Sequence, residues 1–322
     1  MLSIACHMDI RVMRAALLLF CIGECSAATS GVAIATGTDQ GAAEEIPATL
    51  LKPEGAGPFP AVVIMHDCSG VGPRASGAPA RWAEQLVQRG FVAVIPDSFT
   101  TRGFADGVCT ADTAPRRVQV NELRRARDAY AALAYLRSLP YVDGARVGIM
   151  GGSHGGSATL SAMVAPQSGG EPLAREKRSG FAAAVALYPG CGARYGAWRV
   201  TRSGGAYGTI TDYSGVYQPI APLYILIGES DDWTPAEQCR KLTATAQQAG
   251  YQVAIKTYPG AHHAFDSSNP VRYVAARTNA NATSGRGATT GGNAEAWKDS
   301  LAEVTAYFAK HLAQPRHADP QN

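Results

Sequence analysis

The clearest pattern along the chain is a series of short, unbroken apolar runs separated by stretches with helical spacing. The runs are Ala61-Val62-Val63-Ile64-Met65, Phe91 to Ile95, Val147 to Met150, Phe181 to Tyr188, Leu223 to Ile227 and Val253 to Tyr258. A strand without polar alternation has both faces buried, as in a parallel sheet covered by helices. Helices are predicted over residues 79–89, 117–138, His154 to about Ala165, 235–249 and 294–312. In the second of these, Leu123, Ala126, Tyr130, Leu133 and Leu136 fall on one stripe, with Arg124, Arg125 and Arg137 off it. Gly31 to Gln40 and Ile46 to Leu51 add two short strands at the start.

Such alternation predicts an α/β fold, a mostly parallel central sheet with helices on both faces. Residues 28–322 are expected to form one domain. Two segments break the rhythm, at about 192–220 and 267–293, each directly after a strand end. They are expected to be inserted loops without structure of their own, of the kind that serve as lids or binding loops.

The first 27 residues have a different character. Arg11 and Arg14 precede the apolar run Ala15 to Ile22, and Cys25-Ser26-Ala27 ends it with small residues. That run is too short to span a bilayer and suits the apolar region of an export signal, with cleavage expected after Ala27. Met8 and Met13 are alternative starts. Cys21 follows bulky Phe20 and Cys25 follows Glu24, which argues against a lipid anchor on the mature chain. The expected location is periplasmic or secreted.

Charge adds little. The 322-residue chain carries a net charge of only +3 and no basic block, so nothing points to a nucleic-acid partner. Export does change how the cysteines are read. Four remain after the leader, Cys68, Cys109, Cys191 and Cys239, and in an oxidising compartment they permit two disulfides in any of three pairings.

The chemistry lies at strand ends. Gly151-Gly152-Ser153-His154-Gly155-Gly156 follows one buried strand and opens a helix of small residues, which is the context a G-x-S-x-G nucleophile turn requires. Glycines at 151 and 155 remove side chains that would collide where the strand turns sharply into the helix. A serine hydroxyl needs a base to take its proton, and an imidazole base needs a carboxylate to hold its tautomer. Both follow in the order this fold uses: Gly228-Glu229-Ser230-Asp231-Asp232-Trp233-Thr234-Pro235 after one strand, and Pro259-Gly260-Ala261-His262-His263-Ala264-Phe265 after the next. Either aspartate is a chemically apt acid, and either histidine an apt base. One member of each pair is surplus.

The first buried strand runs into His66-Asp67-Cys68-Ser69-Gly70. The loop after that strand supplies a backbone N–H to an oxyanion hole in this fold, here assigned to Cys68 and paired with the N–H of His154. Tyr188, Trp233 and the 192–220 segment are candidate pocket walls. His66, Asp67 and His154, or the paired aspartates and histidines, are the only alternatives for a metal. No spacing such as H-E-x-x-H supports them, so neither metal nor cofactor is expected.

With these segments in place, the chain resembles the dienelactone hydrolase family of α/β-hydrolases. The resemblance is carried by residues 62–70, Val92 to Ser98, Gly151 to Gly156, Gly228 to Pro235 and Tyr258 to Phe265. It implies that the acid is Asp231, in the family's Gly-x-x-Asp spacing from Gly228, and that the base is His263, directly before Ala264-Phe265. Asp67 matches the acidic residue of the oxyanion loop and, by that position, joins the pocket. The fold also brings neighbouring strand-end loops together, which favours Cys68–Cys109 and Cys191–Cys239 as the bridges. One position departs from the pattern. Dienelactone hydrolase proper uses a cysteine nucleophile, and residue 153 is serine.

The resulting expectation is an exported serine hydrolase acting on small-molecule esters or lactones through an acyl-enzyme. The rivals are a peptidase of the same fold, a metal-dependent hydrolase and an exported binding protein with a vestigial triad.

Overall fold

The computed structural model describes residues 28–37, 43–167, 173–204 and 208–313. The expected leader lies outside them. In chain order the elements are β1 (Ala28–Gly37), β2 (Ala43–Lys52), β3 (Phe59–Met65), α1 (Ala78–Val87), β4 (Val92–Pro96), α2 (Glu122–Ser138), β5 (Val142–Gly152), α3 (His154–Met163) and α4 (Ala174–Arg178). They continue with β6 (Ala184–Leu187), β7 (Arg199–Arg202), β8 (Ile210–Ser214), β9 (Leu223–Gly228), α5 (Ala236–Gln248), β10 (Val253–Tyr258), β11 (Arg272–Thr278), β12 (Arg286–Thr290) and α6 (Ala294–His311).

Eight strands form one sheet in the order β1-β2-β4-β3-β5-β6-β9-β10. The β1–β2 and β2–β4 pairs are antiparallel, and all pairs from β4 to β10 are parallel. In β3, the consecutive residues Val62 to Met65 are each at most 1% exposed, so both faces of the sheet centre are covered. Helices α1 and α6 meet through the rings of Trp82 and Trp297, 4.7 Å apart. Helix α2 is tied to α3 by the Tyr130 hydroxyl, which donates to the Ala162 carbonyl at 3.0 Å.

The apolar stripe expected for α2 needs correction. Leu123 is 40% exposed, whereas Arg124, Arg125 and Asp128 are buried. Charge pairing explains the burial of Arg124 and Asp128, while Arg125 donates to the His66 carbonyl. Arg102 donates to Asp128 at 2.6 Å and to Glu44 at 3.0 Å, and Arg124 also pairs with Glu44. The partnered Arg102 holds the Glu44 carboxyl below its ordinary value. Paired charges can enter an interior that unpaired ones cannot.

The two inserted segments are not structureless loops. Residues 192–220 contain the antiparallel hairpin β7–β8, and residues 267–293 contain β11–β12. Their strands are rich in polar residues and largely exposed or half-buried, so neither produced a legible apolar run. Two disulfides, Cys68–Cys109 and Cys191–Cys239, close loops 41 and 48 residues apart in sequence. Among the described residues, no helix is long and apolar enough to cross a membrane.

Candidate active site

The parallel strands all end at the same sheet edge, and the loops leaving β3, β5, β9 and β10 meet there. Ser153 sits between β5 and α3 with φ 54° and ψ −118°, a conformation that costs an ordinary residue about 1–3 kcal/mol. Close packing explains why its neighbours are glycines. A Cβ on Gly155 would lie 2.0 Å from the Met65 carbonyl oxygen, and one on Gly151 would lie 2.5 Å from the Gly155 oxygen. The Ser153 N–H donates to the Leu187 carbonyl at 2.9 Å, which fastens the turn to β6.

Ser153 Oγ lies 2.8 Å from His263 Nε2, and His263 Nδ1 lies 2.8 Å from Asp231 Oδ2. All three side chains are buried. With a proton on Nδ1 donated to the carboxylate, Nε2 is left to accept from the serine hydroxyl, so one tautomer satisfies both contacts. Asp231 is itself held. Its Oδ1 accepts the N–H groups of Trp233 at 2.9 Å and Thr234 at 2.8 Å.

The neighbouring candidates point elsewhere. Asp232 accepts from the N–H and hydroxyl of Thr289, both at 2.8 Å, and His262 Nδ1 lies 2.9 Å from the Ser230 carbonyl. The two aspartates and two histidines therefore do not converge. Among the described residues, no group of three or more His, Cys, Asp or Glu is arranged to hold a metal.

A cleft of about 110 Å³ opens over Ser153 and His263, and Asp67, Cys68, Tyr188 and Trp233 help to line it. Asp67 is engaged within its own loop, accepting from the Ser69 N–H at 2.7 Å and from the Ser76 hydroxyl. His154 is the first residue of α3, where backbone N–H groups have no intrahelical partner. The rings of Trp233 and Tyr188 pack on the His263 imidazole at 4.7 and 4.8 Å. Tyr188 is fixed in turn by Asp266, which accepts from its hydroxyl and from Trp82 Nε1, both at 2.7 Å. Burial raises the Asp266 carboxyl above its ordinary value, against these two donors.

Several residues of the site carried no readable signal. Thr234 Oγ1 lies 3.0 Å from His263 Nδ1 and 2.9 Å from Asp231 Oδ2, within reach of both. Its Asp-x-x-Thr spacing is that of a local cap and pointed only to a turn. Arg272 and Arg277 reach the cleft from β11, and the Arg277 guanidinium stacks 5.3 Å over Trp233. Their segment had no motif. Of the 192–220 segment, a candidate pocket wall, none of the described residues lines the cleft.

The parallel sheet, the serine at a strained strand-to-helix turn, and the histidine and aspartate on later strand-end loops define an α/β-hydrolase. The profile of the dienelactone hydrolase family matches residues 46–312, and the chain belongs to that family. Among curated proteins it is 31% identical over 106 residues to the uncharacterized protein YcjY of Escherichia coli, a match covering 33% of this chain and 31% of that protein. Solved structures resemble it more fully. A dienelactone hydrolase from Anabaena variabilis superposes with a TM-score of 0.56 at 18% identity, covering 88% of this chain and 99% of the other. A dienelactone hydrolase-like promiscuous phosphotriesterase from metagenomic libraries gives 0.57 at 19%, covering 88% and 99%. Esterase 2 of Thermogutta terrifontis gives 0.53 at 17%, covering 91% and 97%. At these identities the likeness speaks for the fold.

Proposed function

We propose that this protein is a serine hydrolase that cleaves esters or lactones of small molecules through an acyl-enzyme on Ser153. What carries this reading is the unbroken path from Ser153 Oγ through His263 to Asp231, with both hydrogen bonds at 2.8 Å. As Ser153 attacks the carbonyl carbon, His263 Nε2 takes the hydroxyl proton and Asp231 stabilises the resulting imidazolium. The carbonyl oxygen becomes an alkoxide held by the backbone N–H groups of Cys68 and His154. Collapse of the tetrahedral intermediate expels the alcohol, which receives the proton from His263. A lactone would keep that alcohol attached to the acyl group. Water then repeats the sequence and frees the acid and Ser153. The small cleft favours a compact substrate over a folded polypeptide.

A fluorophosphonate probe tests the reading. Labelling of the wild type that disappears in Ser153→Ala, together with hydrolysis of short-chain nitrophenyl esters unaffected by chelator, is the expected result. Labelling that persists in Ser153→Ala, or esterase activity abolished by chelator, would overturn it. The proposal extends to export, which two disulfides favour. N-terminal sequencing of the mature protein should begin at Ala28.

A further inference from the structure

The Cys68 N–H can stabilise an oxyanion only if its peptide plane is turned toward Ser153, and the groups that hold this plane lie behind the cleft. His66 is fully buried, and its Nε2 accepts the Ser98 N–H at 3.1 Å. That contact leaves the proton on Nδ1, which donates to the Asp67 carbonyl oxygen at 2.8 Å. The Gly70 N–H also reaches that oxygen, at 3.3 Å. Asp67 C=O and Cys68 N–H belong to one peptide unit. In a trans peptide they point in opposite directions, so anchoring the oxygen in the interior aims the N–H outward. Cys68 and Ser153 line the same cleft.

Arg125 secures the peptide before it. Its Nη2 donates to the His66 carbonyl at 2.5 Å, and its Nη1 lies 3.1 Å from Nδ1 of His154, whose own N–H is the other proposed oxyanion donor. One guanidinium thus touches both strand-end segments that supply donors. The same group lies 4.9 Å over the Phe99 ring, which meets the His66 ring edge-on at 4.4 Å. As a stability device the arrangement is poor. Arg125 is completely buried and its Nε has no partner among the described residues. Apolar packing would serve the core at least as well as a partly satisfied buried cation. What it supplies is direction.

We propose that His66 and Arg125 are positioning residues for the acyl-transfer reaction, a buried brace that holds the Cys68 and His154 amides toward the same point. This rests on the serine hydrolase reading above. Neither residue touches substrate. Loss of an oxyanion donor elsewhere lowers kcat by about 10²–10³-fold, and a misplacement of about 1 Å costs about 10²-fold. A donor left in place but free to turn should cost about 10- to 100-fold.

The test uses His66→Gln, Arg125→Lys and Arg125→Met in the full chain. The readouts are kcat and KM on a short-chain nitrophenyl ester, the Ki of a boronic acid that adds to Ser153, and the fraction folded by circular dichroism. The boronate oxygen occupies the oxyanion position, so its affinity reports the donors directly. The expected result is a fall in kcat of about 10- to 100-fold with KM changed less than about threefold. The boronate Ki should rise in parallel, and Arg125→Lys should retain more activity than Arg125→Met. Folded variants with wild-type kcat and Ki, or losses no larger than the unfolded fraction, overturn the brace. A wild-type protein that neither labels nor turns over the ester overturns the hydrolase reading, and the brace falls with it.

Discussion

Asp231 and Asp232 are adjacent in the chain yet hold different parts of the site. Asp231 is 2.8 Å from His263 Nδ1, while Asp232 grips Thr289 of β12 through two contacts of 2.8 Å. One turn after β9 therefore orients the imidazole with its first carboxylate and pins the hairpin over the cleft with its second. Trp233, the next residue, continues the lacing by donating from Nε1 to the Thr278 carbonyl at 2.7 Å.

The two aspartates should separate kinetically. Asp231→Asn leaves the shape intact but removes the group that fixes the Nδ1–H tautomer, and kcat should fall about 10⁴-fold. Asp232→Ala should raise KM several-fold with kcat within about fivefold, because the hairpin wall loosens while the hydroxyl, imidazole and carboxylate stay in line. Steady-state kinetics on one ester distinguish them. Equal losses in kcat would reverse the assignment of acid and clamp.

The elbow should be intolerant of a single methyl group. Gly155→Ala would place Cβ 2.0 Å from the Met65 oxygen and 2.6 Å from the His66 oxygen, both backbone atoms that cannot swing aside. Destabilisation of about 3 kcal/mol, the upper end for overpacking, is expected. Denaturant unfolding of the variant would measure it, and a midpoint within error of wild type would contradict the close approach.

Reduction should weaken both the fold and the site. Loops of 41 and 48 residues are closed by the two disulfides, each worth about 2–4 kcal/mol in a folded domain. Cys68 sits at the cleft, so the paired variant Cys68→Ser with Cys109→Ser should lose activity beyond its loss of stability. The pair Cys191→Ser with Cys239→Ser should lose stability with little change in kcat at a temperature where it remains folded. Thermal melts and kinetics on both variants check this.

Stability should fall on mild acidification. Burial, reinforced by Arg125, holds the His66 imidazole well below its ordinary range. The unfolded chain takes up that proton near pH 6.5, so below this value the unfolded state binds more protons and the folded state loses ground. The slope approaches about 1.4 kcal/mol per pH unit until the buried group itself titrates. Asp266 acts with the opposite sign, since its raised carboxyl binds a proton more readily in the folded state. Urea unfolding at pH 7.5 and 5.5 should show a smaller pH difference in His66→Gln than in wild type.

Much of this was written in the local sequence. Unbroken runs such as Ala61 to Met65, short and bounded by turn residues, are what strands buried on both faces produce. The order of Gly151 to Gly156, Gly228 to Pro235 and Tyr258 to Phe265 along the chain identified a hydroxyl, a carboxylate and an imidazole at strand ends. These signals are local: one residue in a fixed backbone turn, or a period set by strand geometry.

Only the tertiary structure decided the rest, since those features arise between segments distant in sequence. Arg124 and Arg125 looked solvated on a helical wheel, but Glu44 from β2 and the His66 carbonyl supply partners that no periodicity records. Hairpin β11–β12 was invisible because its strands are polar and largely exposed or half-buried, stabilised by Asp232, Trp233 and Asn279 instead of an apolar face. A chain states its hydrophobic pattern residue by residue. A buried charge is permitted only by the partner that folding brings to it.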